Sequence, residues 1–77
     1  MTFDEFEERV RKTYEEYLLA FSQEMRDRYF YGEEAQEVLH SEYEWHLQRL
    51  KDGEITERIF REGVAISCGY CLSLMFE

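Results

Sequence analysis

This chain has almost no residues that interrupt helices. It contains no proline, and its only glycines are Gly32, Gly53, Gly63 and Gly69. Because proline and glycine are the residues that most often end helices or form turns, we expect long helices separated near these glycines. The composition, with 44% hydrophobic residues, is too apolar for a disordered chain despite its many charges. The sequence therefore predicts a single all-α domain over residues 1–77.

The first predicted helix begins after Thr2, which forms a capping box with the glutamate three residues later. Apolar residues then recur at steps of three and four over residues 3–25, a pattern that predicts one buried stripe along a helix. An unbroken helix as far as Tyr31 would be about 43 Å long at 1.5 Å per residue, longer than either later helix. Either this helix breaks near Ser22, which can cap a second segment, or its far end overhangs and needs a partner.

Two further helices are predicted. Acidic residues open the second at Glu33, and it is expected to run to Lys51, before a turn at Gly53. Thr56 is the expected N-cap of the third. Residues 63–76 carry no charged side chain and, at about 14 residues, are too few to span a bilayer. We predict that this segment is the buried C-terminal helix of a three-helix bundle, or of a four-helix bundle if the first helix breaks.

The charge of the chain narrows the kinds of partner it can bind. Eighteen acidic and nine basic residues leave a net charge of −9. Such a surface repels phosphates and anionic lipids and attracts basic surfaces, so we expect a basic protein partner, no direct nucleic acid binding and no membrane binding. Acidity that serves only solubility is the alternative. The N-terminal residues resemble no signal peptide, so a cytoplasmic location is expected.

The sequence contains no strong catalytic or metal-binding pattern. Cys68 and Cys71 form one Cys-x-x-Cys pair, but structural zinc needs four ligands, so we expect free thiols that pack as small apolar side chains. Glu37 and His40 form a single Glu-x-x-His element, which dimetal helical sites use in pairs, and they lie on the polar side of their helix. No phosphate-binding glycine loop or base-activated nucleophile is recognisable. We therefore expect no catalytic residue, no metal and no cofactor.

One polar pair is predicted on the apolar face of the second helix. Glu42 and His46 are four residues apart, so both project from the same side. They are expected to satisfy each other as a buried polar pair. The alternative is a pH-sensitive or partner-facing polar spot within an interface.

The candidate partner-binding residues are carboxylates with no basic partner predicted in their own helix, together with three consecutive aromatics. Three adjacent rings point in three directions around a helix, so at most two are expected to enter one core, and the third is exposed, pairs with another chain or caps a turn. The alternative is that all three seal the end of the core. Aromatics flanked by carboxylates suit contact with a partner that bears arginine and lysine. The set comprises Glu15, Glu16, Tyr29, Phe30, Tyr31, Glu33, Glu34, Glu37 and Glu44.

These features predict a non-enzymatic protein-binding module that inhibits or modulates a basic, nucleic-acid-binding protein by mimicking the charge of nucleic acid. Phage-encoded inhibitors of restriction and CRISPR nucleases have a similar size and charge, a likeness of composition with no motif behind it. The alternative is a homo-oligomeric structural or sensory module with no nucleic-acid-related target. Small residues spaced by four in the last helix would let another helix backbone come close, namely Gly63 and Ser67 together with Ala65, Gly69 and Ser73. In a homodimer, this small-residue face and the overhanging end of the first helix would pack against a second copy.

Overall fold

The computed structural model describes residues 1–76, which measure 39 × 21 × 18 Å along their principal axes. A π-helical segment (Ile59–Val64) precedes the last α-helix, and residues 57–75 form one continuous helix, named here the C-terminal helix. No strand occurs in the described residues, which confirms the all-α prediction. The four α-helices are α1 (Phe3–Tyr17), α2 (Gln23–Phe30), α3 (Glu33–Lys51) and α4 (Ala65–Met75).

The first predicted helix breaks near Ser22. α1 ends at Tyr17, and the Ser22 hydroxyl accepts a hydrogen bond from the Met25 amide at 3.3 Å, as an N-cap does. Leu18 is buried directly after the end of α1, so the apolar stripe continues where the helix does not. Residues 1–76 therefore contain four α-helices, and α1 has no overhanging end that needs to be covered.

Two polar contacts hold α2 against α1. The Tyr14 hydroxyl donates a hydrogen bond to the Arg26 carbonyl oxygen at 2.9 Å, and Arg11 Nη2 lies 2.7 Å from the Asp27 carboxylate. Burial raises the pKa of the Tyr14 hydroxyl to about 12, so the group remains a hydrogen-bond donor further into the alkaline range than an exposed tyrosine does. These contacts fix the direction in which the chain turns after α1.

α3 ends where the sequence predicts. Gly53 follows the helix with a φ of 78°, in the left-handed region that favours glycine. Its amide donates a hydrogen bond to the Leu50 carbonyl oxygen at 3.1 Å, which satisfies one of the last carbonyls of the helix. The Thr56 hydroxyl then accepts a hydrogen bond from the Ile59 amide at 3.1 Å and caps the next helix, as predicted.

The core lies between α1, α3 and the C-terminal helix. α1 and α4 approach each other closely at Gly69, where an added Cβ would lie only 2.6 Å from the Val10 carbonyl oxygen. The prediction that small residues of the last helix admit a neighbouring backbone is therefore confirmed at this position. The buried apolar residues are Phe6, Val10, Tyr14, Leu18, Phe30, Ala35, Leu39, Ile55, Phe60, Ala65, Cys68 and Leu72.

The C-terminal helix is only half covered, so the prediction that it is the buried central element is wrong for its outer side. Ile66, Tyr70 and Leu74 are 55%, 43% and 48% exposed. α1 packs against the inner side and α3 along one edge, and residues 1–76 provide no further helix for the outer side. The absence of charge thus predicts burial correctly for one side of this helix alone.

The π-helical segment explains the spacing of the buried residues in this helix. Phe60 and Ala65 both face the core although they are five residues apart. In a regular α-helix that spacing would separate their side chains by about 140°. A π turn, with hydrogen bonds between residues five apart, brings them to the same side. A regular period of 3.6 residues does not predict this feature.

Candidate protein-binding surface

The solvent side of α3 is strongly acidic. Between Glu33 and Gln48 the chain carries five glutamates and no lysine or arginine, which accounts for more than half of the net charge of −9. Four of the five are exposed, and within residues 1–76 none of these four forms an ion pair. The four residues, termed here the acidic face, are Glu33, Glu34, Glu37 and Glu44.

The acidic face has a defined shape because it lies on one helix. At 100° and 1.5 Å per residue, its four side chains fall within about 100° of one another and span about 16 Å along α3. Leu39, on the opposite side of the helix, is buried, and the Tyr43 hydroxyl donates a hydrogen bond to the Met1 carbonyl oxygen at 2.8 Å. These contacts hold α3 from behind, so the carboxylates are presented on a rigid support.

The three consecutive aromatics occupy three different environments. Phe30 is 1% exposed and packs on Tyr14 with ring centroids 5.1 Å apart, so its assignment as a partner-binding residue is wrong. In an unbroken first helix Phe30 would lie on the polar side, and the break before α2 turns it inward. Tyr29 is half-buried and stacks on Phe76 with centroids 4.8 Å apart. Tyr31 is exposed, as one of the three must be.

Only one of these three aromatic rings, that of Tyr29, lies beside the acidic face. Tyr29 lines a shallow cleft together with Glu33 and Glu34 at the start of α3. Tyr31 points to α1, where its hydroxyl accepts a hydrogen bond from Arg11 and its ring lies 5.2 Å from the guanidinium carbon. The structure therefore separates Tyr31 from the carboxylates that follow it in the sequence.

Glu15 and Glu16 also lie apart from the acidic face. Glu15 accepts hydrogen bonds from Gln23 at 2.9 Å and from Arg11 at 3.0 Å, and these bonds hold the pKa of its carboxyl below the ordinary value. The expectation that Glu15 has no basic partner in its own helix is wrong, because Arg11 precedes it by one turn. Glu16 is exposed, but it lies in a cleft that basic side chains such as Lys12 share.

Trp45 is an exposed aromatic next to the acidic face. The sequence places it only at the margin of the apolar stripe of α3, yet it is 61% exposed and directly follows Glu44. The guanidinium carbon of Arg49 lies 5.9 Å from its ring. Tryptophan is enriched among the residues that dominate binding energy at protein interfaces. The sequence signal for the exposure of Trp45 was its position at the margin of the apolar stripe, because a side chain at that position does not point into the core.

An apolar groove of about 250 Å³ separates α3 from the C-terminal helix, and Glu42 and His46 line it. His46 Nε2 lies 3.1 Å from the Glu42 carboxylate, and Nδ1 lies 3.1 Å from Arg49 Nη1. Because arginine can only donate, Nδ1 is assigned as the acceptor and Nε2 as the donor to Glu42. The two residues thus satisfy each other, with the histidine side chain 12% and the carboxylate 37% exposed.

The remaining candidate ligands do not assemble into a metal site. Cys68 and Cys71 are free thiols that border the groove, and burial raises the pKa of Cys68 to about 12. His40 stacks on Phe3, with ring centroids 4.0 Å apart. In the described part of the chain, no three His, Cys, Asp or Glu side chains are grouped so as to hold a metal ion. Nor does any helix of residues 1–76 have the length and apolarity needed to cross a membrane.

Comparisons with protein-family models, with curated proteins and with solved structures found no match to this chain. Its function must therefore be inferred from the charge and shape of its surface. Two surfaces differ most from an ordinary solvated one, namely the acidic face of α3 and the exposed side of the C-terminal helix.

Proposed function

We propose that this protein is a non-enzymatic binding module that acts in the cytoplasm by placing the acidic face of α3 on a basic surface of a partner protein. The favoured partner is a nucleic-acid-binding protein, which the module inhibits or modulates by occupying the surface that phosphates would otherwise contact. The observation that carries this proposal is the group of exposed glutamates on α3 with no basic residue among them.

The lack of ion pairs makes the acidic face suited to this role. A carboxylate that is already paired gains little from a new cation, because the existing pair must first be broken. The four glutamates have no such pair within the described residues. A basic partner would also relieve their mutual repulsion. Contacts of this kind raise association rates and weaken as salt increases.

Two aromatic side chains add contact area to the acidic face. Tyr29 lies beside its first two carboxylates, and Trp45 follows its last one. Both rings can stack on the guanidinium groups of a basic partner, an attraction that salt weakens less than a simple ion pair. The proposed binding surface is therefore the acidic face with Tyr29 at one end and Trp45 at the other.

The test compares two triple charge reversals in the full chain. The control reverses three exposed acidic residues near the start of α1, which have the same spacing as the three α3 glutamates of the test variant. Both variants change the net charge equally, and both should keep the circular dichroism spectrum of the wild type. The test variant carries Glu33→Lys, Glu34→Lys and Glu37→Lys. The control variant carries Asp4→Lys, Glu5→Lys and Glu8→Lys.

Tagged wild type and both variants are used to capture proteins from a lysate of the source organism at about 0.05 and about 0.5 M salt. We expect the wild type and the α1 variant to capture the same basic nucleic-acid-binding protein at low salt. The α3 variant should bind it at least about tenfold more weakly, a loss of about 1.4 kcal/mol. The purified wild type should also compete with nucleic acid for that protein. Equal capture by all three proteins, or no competition, would contradict the proposal.

A further inference from the structure

The outer side of the C-terminal helix is an exposed apolar surface. Ile66, Tyr70 and Leu74 recur at steps of four and are each about half exposed. Tyr17 of α1 meets Tyr70 edge-on, with ring centroids 4.9 Å apart, and is 53% exposed. These four side chains are termed here the apolar face. No charged side chain interrupts residues 63–76.

The size of this surface is close to that of a protein interface. A half-exposed large side chain leaves on the order of 100 Å² in contact with water. At that value, the four side chains of the apolar face and Ile59, which lines the groove beside it, expose roughly 500 Å². The largest apolar patch on a typical monomer is about 300 to 600 Å², and a standard interface buries about 800 Å² per partner. The surface is therefore large enough for a reversible association.

The groove makes the surface complementary to itself. Gly63, Ser67 and Cys71 recur at steps of four along the C-terminal helix and line the groove beside the apolar face. Helices pack by placing a ridge of large side chains on one into a groove on the other. The C-terminal helix carries a ridge of large side chains on one side and forms one wall of the groove on the adjacent side. A two-fold axis along the helix direction would place the ridge of each copy over the groove of the other, with the two helices parallel.

Charge also favours a second copy of this chain as the partner that binds the apolar face and the groove. Two molecules that each carry a net charge of −9 repel each other wherever their acidic surfaces meet. Residues 63–76 are the longest run without a charged side chain in the sequence. The C-terminal helix therefore brings no like charges together, and Glu42, the one acidic residue among those that line the groove, is hydrogen-bonded to His46. A basic partner would gain less from this surface than from the acidic face, because Glu42 is the only acidic residue that lines the groove, whereas the acidic face carries four exposed carboxylates.

We infer that two copies of this chain associate through the apolar face and the groove beside it. The dissociation constant is expected to be on the order of micromolar, because the area is at the low end for a specific interface. The inference does not rest on the acidic face, which lies on the solvent side of α3 and remains uncovered. The dimer would carry two acidic faces and could bind a partner at two sites.

The experiment measures the mass of the full chain by sedimentation equilibrium from about 1 to about 300 µM. Tyr70→Lys places a charge at the centre of the apolar face, and Leu74→Lys does so one turn further along. Tyr31→Lys is the matched control, because Tyr31 is equally exposed but contacts Arg11 on another side of α1. Circular dichroism establishes that each variant keeps its helical content.

We expect the wild type and Tyr31→Lys to pass from the monomer mass of 9.5 kDa to twice that mass as concentration rises. Tyr70→Lys and Leu74→Lys should each weaken the dimer at least about tenfold. Added salt should strengthen the dimer, because it screens the repulsion between the two copies, whereas it should weaken binding through the acidic face. A wild type that remains monomeric at every concentration and salt, or equal dimerisation of all four proteins, would overturn the inference.

Discussion

Replacing Gly69 with alanine should test the close contact between α1 and α4. A Cβ at this position would lie 2.6 Å from the Val10 carbonyl oxygen, 2.7 Å from the Thr13 Cβ and 3.1 Å from the Tyr14 amide nitrogen. Two of these three atoms belong to the backbone of α1, so no side-chain rotation removes the clash. The variant can fold only if α1 and α4 move apart along their shared contact.

The cost can be estimated from that movement. Ordinary carbon contacts are about 3.5 to 4.0 Å, so the two helices must separate by about 1 Å, and a gap of that size forfeits a quarter to a half of the dispersion energy of each contact it opens. Overpacking a core in this way costs about 3 kcal/mol when the backbone must move. The higher helix propensity of alanine returns about 1 kcal/mol. We expect Gly69→Ala to lower the free energy of unfolding by about 2 kcal/mol.

Gly63→Ala is the matched control, because it makes the same chemical change in the same helix. Its Cβ would meet nothing closer than the Ile59 Cγ2 at 4.0 Å. Without a clash, alanine should raise the free energy of unfolding by about 0.5 to 1 kcal/mol, because it loses less backbone conformational freedom on folding than glycine does. Urea unfolding followed by circular dichroism, at one low protein concentration, measures both. If Gly69→Ala is as stable as Gly63→Ala, the close approach of α1 and α4 is not real.

Two further predictions concern buried ionisable groups. A chromogenic thiol reagent should label Cys71 rapidly in the folded monomer and Cys68 only on unfolding. The Cys71→Ser variant should therefore lack the fast phase of labelling, and equal rates for the two thiols would contradict the burial of Cys68. Burial raises the pKa of Cys68 and of Tyr14 to about 12, from 9.0 and 10.0, so the folded state retains protons that the unfolded chain releases. The free energy of unfolding should therefore keep its full value below about pH 9 and fall as the pH rises towards 12. This decrease with pH should be shallower in Cys68→Ala, and an unchanged slope would exclude a contribution from the thiol.

The helix boundaries could be predicted because the signals that set them are local. Ser22 and Thr56 accept hydrogen bonds from amides three residues ahead, and Gly53 adopts its positive φ directly after α3. Each of these contacts depends on residues adjacent in the sequence. The exposure of the four α3 glutamates was expected for the same reason, since a helix side that carries carboxylates and no base is most stable in water.

Apart from the pairing of Glu15 with Arg11, which lies one turn away in α1, the errors concern contacts between elements distant in the sequence. Phe30 enters the core because α2 folds back on Tyr14, and part of the pairing of Glu15 comes from Gln23, which α2 brings to it. Tyr31 leaves the acidic face because Arg11 binds it from α1. None of these positions follows from helical periodicity, which describes one helix at a time.

The sequence alone determined that this chain is helical, where most of its helices begin and end, and that α3 is acidic on the outside. Propensity, capping and charge act within a few residues, so they are already present in the unfolded chain. Which side of the uncharged C-terminal helix meets water depends on how the helices pack. The fit of Gly69 against α1 selects the buried side, and the π turn aligns Phe60 with Ala65. The other side stays exposed because burial requires a second surface, and the described chain has no helix left to supply one.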